Sequence, residues 1–171
     1  MKLNLQTPII ATFILFCLST HAQQITVDDS FTAQQLVENN LVQGCVEVTN
    51  ISSTINGNVN GFSSFGYFEN ASSGFPFENG IMLSTGSATS AGKTQKTNPL
   101  NATSIQFDFI STSSNVQFNY ILASEEYFAE YPCLYSDGFA FLIREAGSGN
   151  PYQNIAVVPG TSTAVNTNTI H

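Results

Sequence analysis

No tryptophan occurs in the 171 residues, histidine occurs twice, cysteine three times, and basic residues only four times. Each shortage excludes something. His21 falls in the N-terminal leader described below, which leaves His171. Without an internal histidine there is no Ser-His-Asp triad, no Cys-His dyad and no histidine-bound zinc. Any chemistry must come from carboxylates, tyrosines or a bound hard cation. Four cations face twelve acids, a formal charge of −8. No basic patch exists, so nucleic acid is excluded as a partner and anionic lipid is equally poor. An acidic surface short of lysine suits divalent cations, neutral glycans or plain solubility.

Residues 1–22 read as a secretory signal peptide: Lys2 is the positive start, Ile9–Leu18 the apolar core, and Ala22 the small residue before cleavage. The apolar run is too short to span a bilayer, and no other run in the chain is longer. Phe16 before Cys17 argues against a lipoprotein signal. Loss of Lys2 with the leader takes the formal charge from −8 to −9. Residues 23–171 then fit one domain with a sizeable core. Cys45 and Cys133 remain, and in an oxidising compartment the simple reading is one disulfide between them. The other is two buried thiols packed as small hydrophobes.

One helix is well signalled. Thr32 and Gln35 make a capping box, Phe31 can staple onto Leu36, and Leu36, Val37 and Leu41 form an apolar face before Gly44. This predicts a helix over 33–42. Strands are expected at 45–51, 80–85, 104–111, 115–123, 137–145 and 154–159, with 104–111 and 115–123 joined as a hairpin by 112–114. Residues 52–79 and 86–103 are rich in Gly, Ser and Asn and read as long loops. The sum is a mostly β chain, an antiparallel β-sandwich of jelly-roll type with one short N-terminal helix. The segment from Pro159 to His171 runs into what reads as another strand, so further strands are expected beyond it.

A third of the acids gather in one place: Glu125, Glu126, Glu130 and Asp137, among Tyr127, Tyr131 and Tyr135. Ser124 can cap a short helical turn with Glu125 and Glu126 in its first turn and Pro132 as its stop. That accounts for two acids. Glu126 and Glu130, four apart on one helical face, repel, and Asp137 opens the next strand. Calcium would offset the repulsion, since it takes six to eight oxygens from carboxylates, carbonyls and water. The spacing is not that of an EF-hand. A glycosidase would instead need two carboxyls flanking a sugar, which Glu126 and Glu130 match by spacing. The absence of Trp weighs against a sugar-cleaving cleft, although Tyr127, Tyr131 and Tyr135 could serve as the platform. Tyrosines at this spacing also arise as half-buried packing with a wet hydroxyl.

Other patterns read blandly. Asn50, Asn70 and Asn101 head glycosylation triplets expected by chance in such a composition. Residues 92–97 lack the glycines of a phosphate loop. Phe62, Phe65, Tyr67, Phe68, Phe75 and Phe77 are an aromatic run in a polar segment, either anchoring a loop in the core or exposed as a partner patch.

Four stretches in order, "FTAQQLVENNLVQGCVEVTN", "FPFENGIMLSTG", "FNYILASEEYFAEYPCLYSDGFAFLI" and "NIAVVPGTSTAV", resemble the choice-of-anchor L domain family. The resemblance covers nearly everything from Ile25 onward. It implies an exported bacterial surface or secreted protein, β-rich, within a larger parent carrying a C-terminal sorting or anchoring signal, in gram-negative members often that of type IX secretion. Family domains continue into further strands past the motif that contains Pro159 and Gly160. No activity comes with the resemblance. The function expected from residues and resemblance together is a non-catalytic extracellular module for adhesion or ligand binding, with a glycan or surface protein as partner and calcium as the one cofactor to test. The rivals are a carbohydrate-active enzyme and a structural spacer.

Overall fold

The computed structural model describes residues 25–56, 62–70, 74–91, 102–124, 127, 131–134 and 137–170. The leader, the 92–97 loop, Glu125, Glu126, Glu130 and Tyr135 lie outside the described residues. The chain is mostly strand, in antiparallel sheets, with little helix. It divides into two compact units, one of residues up to Gln43 with Asn50–Phe107, the other of Gly44–Thr49 with Asp108–His171. Strands β2 (Val46–Asn56) and β5 (Ala102–Ser111) pair with each other and contribute residues to both.

The first unit begins with β1 (Ile25–Asp28), followed by α1 (Ala33–Leu36). The capping box forms as its residues require. Thr32 Oγ1 accepts from the Gln35 amide at 3.2 Å, and the Thr32 amide donates to Gln35 Oε1 at 2.9 Å. Past Leu36 the helix widens into a π-turn over Val37–Leu41, closed by Val42 N donating to the Val37 carbonyl. The expected helix thus occupies the right residues, but only its first half is α. Val37, Asn39 and Asn40 favour the α form weakly, so the wider turn costs little there. Val42 is already extended, and Gly44 turns the chain at φ +85°.

Ala33 and Leu36 are buried with Phe65, and Phe31, Ile51, Tyr67, Ile81 and Ile105 pack around them. Full burial of one such leucine is worth about 1.5–3 kcal/mol. Phe65 belongs to β3 (Phe65–Asn70), the centre of a sheet ordered β1-β3-β4, with β4 at Asn79–Leu83. The register sets Val27 opposite Phe68 and Tyr67 opposite Ile81. Two glycines make this close approach possible. A Cβ on Gly66 would lie 2.5 Å from the Asp28 carbonyl oxygen, and one on Gly80 would lie 2.9 Å from the Phe68 ring. A small hydroxyl network closes the unit. The Ser84 carbonyl accepts from Thr103 Oγ1 at 2.8 Å, and buried Ser64 Oγ lies 2.6 Å from the same hydroxyl.

The loop expected over 52–79 is therefore corrected. Its start continues β2, and its aromatic run supplies β3, where Phe65 and Phe68 are buried. Phe65 and Phe68 of the run do anchor the core, from a strand, while Phe62 is exposed. Phe75 continues it, edge-on to Phe68 at 5.7 Å, with Phe77 6.4 Å beyond. Strand β1 carried no expectation at all: four residues are too few for a period to show.

In the second unit the strands are shorter than expected. Within 137–145 only Leu142–Ile143 is regular (β6), paired with Gln153–Asn154 (β7). Isolated bridges join Gly138 to Asn166 and Val157 to Ala164. Residues 115–123 form no regular ladder, and β5 takes β2 as its partner in place of the expected hairpin. Side chains supply the association. Phe118 meets Phe141 at 4.4 Å between centroids, and Tyr120 stacks on Phe139 at 4.8 Å. Asn154 Oδ1 accepts from the amides of Phe141 and Ala156, both at 3.0 Å, and so stands in for ladder bonds at the end of β7.

Candidate functional site

The acidic stretch leads into a corner of the second unit built on Asp137. Its backbone is held on both sides by fully buried Thr167: Asp137 N donates to Thr167 Oγ1 at 3.2 Å, and Thr167 N donates to the Asp137 carbonyl at 3.1 Å. Its carboxylate accepts from Ser124 Oγ at 2.6 Å. A bond this short to an ionised acceptor is of the strong, charge-assisted kind. It ties the end of the 115–124 segment to the start of 137–143. The hydroxyl expected to cap a turn donates to an acid thirteen residues on, and the turn itself falls mostly outside the described residues.

The short helix of this stretch is α2, Tyr131–Leu134. The turn that Pro132 was expected to stop, after Ser124, falls mostly outside the described residues, and Pro132 itself lies inside the first turn of α2. The absent N–H of proline costs nothing at that position, because first-turn amides have no partner within the helix. Tyr131 is 44% exposed and Tyr127 41%. Neither is core, and both keep enough surface for a wet hydroxyl. Tyr135 lies outside the described residues, as do Glu125, Glu126 and Glu130, so their expected roles rest on the sequence. Among the described residues no three His, Cys, Asp or Glu side chains come together as a metal site.

Cys45 is exposed and its thiol is free. The bridge expected to Cys133, whose side chain is not among those described, is not formed here. Cys45 opens instead onto a shallow groove of about 270 Å³, lined by Gly44, Val46, Glu47, Ile110 and Thr112. Among the described residues Arg144 is the one cation, and it lies over the Tyr152 ring, 4.3 Å from its centroid. That is a cation–π contact. The stretch offers a fixed carboxylate at Asp137 and exposed phenols at Tyr127 and Tyr131, groups of the kind that meet polyhydroxylated or cationic ligands.

Sequence reasoning gave Ser124 a capping role without its Asp137 partner, and missed Thr167. The Ser124 partner is thirteen residues away and the Thr167 partner thirty, so no local spacing could reveal them. Tyr120, on the apolar side of the 115–123 alternation, is 42% exposed. The ring pairs were within reach of sequence reasoning. The alternation of Phe118 and Tyr120 mirrors that of Phe139 and Phe141, which is how antiparallel segments match their faces.

The description "Choice-of-anchor L domain" matches residues 24–171. The chain belongs to the choice-of-anchor L domain family. As a choice-of-anchor domain it is a surface-associated bacterial module, and its family is not one of enzymes. No curated protein matches the chain, and no solved structure does. No helix among the described residues is long and apolar enough to cross a membrane.

Proposed function

We propose that this choice-of-anchor L domain is an exported, non-catalytic module that holds an extracellular ligand in an adhesive role. The ligand class is a neutral glycan, met by the tyrosines of the acidic stretch, and calcium stabilises that stretch. The observation that carries the reading is the exposure of Tyr127 and Tyr131 close in sequence to a fixed carboxylate, Asp137. An exposed phenol offers a flat apolar face and a polar tip, which suits a sugar ring. The acidic charge disfavours polyanionic ligands.

Binding of the exported protein to a panel of immobilised neutral glycans tests the ligand. Retention on one class, lost in Tyr127→Ala and Tyr131→Ala variants that still melt cooperatively, supports the reading. Retention that survives both substitutions moves the site elsewhere. Calcium is tested separately by thermal melting with the ion and then with chelator. A ligand bound only by the folded state raises stability by about 2.7 kcal/mol at a hundredfold excess over its Kd. A melt that does not move removes calcium from the proposal.

A further inference from the structure

We draw no further inference here: the strongest candidate, the half-exposed apolar face of Phe118, Tyr120, Phe139 and Phe141 in the second unit, carries nothing because nothing in the structure shows what covers it.

Discussion

Removing the Ser124 hydroxyl tests the acidic corner at its shortest bond. The Ser124 Oγ to Asp137 Oδ2 distance is 2.6 Å, and both residues are partly buried. Hydrogen bonds to charged groups contribute about 1.5–3 kcal/mol when well shielded. Partial exposure lets water replace some of that, which sets the expectation for Ser124→Ala at about 1 kcal/mol of lost stability. Asp137→Ala loses the same bond and the packing of the side chain, so about 2 kcal/mol is expected. The backbone bonds to Thr167 survive both changes, because they use the Asp137 amide and carbonyl. The double variant should then cost about 1 kcal/mol less than the sum of the single ones. Urea unfolding of the four proteins in chelator, with the slope unchanged, measures this coupling. Additivity within about 0.3 kcal/mol would refute the bond as a stabilising link. Repeating the cycle in calcium separates the two roles of Asp137. A metal ligand shows a coupling that depends on the ion, and a purely structural acid does not.

Leu36→Ala empties the centre of the first unit, where Leu36 is fully buried beside Ala33 and Phe65, and should cost about 2–5 kcal/mol in the same assay. Tyr67 has its phenol pKa raised above 10.0 by burial and then by the Glu69 carboxylate. The folded state thus holds the proton more tightly, and this contribution to stability is complete below the unfolded pKa and lost as pH rises through the higher folded value. Ultraviolet titration should show one phenol ionising late in the folded state, absent in Tyr67→Phe. Cys45 should take up a maleimide in the native protein without reductant, and labelling that appears only after reduction would mean that the thiol is bridged.

Legibility tracked how local the cause was. The capping box at Thr32 and Gln35 is written within four residues, so it was readable, as were β4 and β5, whose apolar patterns are continuous. Strand β3 was not. Its sequence, Phe-Gly-Tyr-Phe-Glu-Asn, has no alternation, and its glycine is there because β1 lies against it, a fact of tertiary structure. The π-turn after Leu36 resembles α-helix in any apolar pattern, since both keep Leu36 and Val37 inward. In the acidic stretch the sequence located the acids and tyrosines. The partner that organises Asp137 came from the chain's return at Ser124 and Thr167, which no spacing encodes.

The most direct test of the account measures binding and turnover on one and the same glycan. The exported protein is incubated with each glycan it retains, and the free reducing ends are counted over time. The account predicts retention with no new reducing ends, and loss of retention in Tyr127→Ala and Tyr131→Ala. Release of reducing ends that stops in Glu126→Gln or Glu130→Gln would contradict it and make the chain a hydrolase.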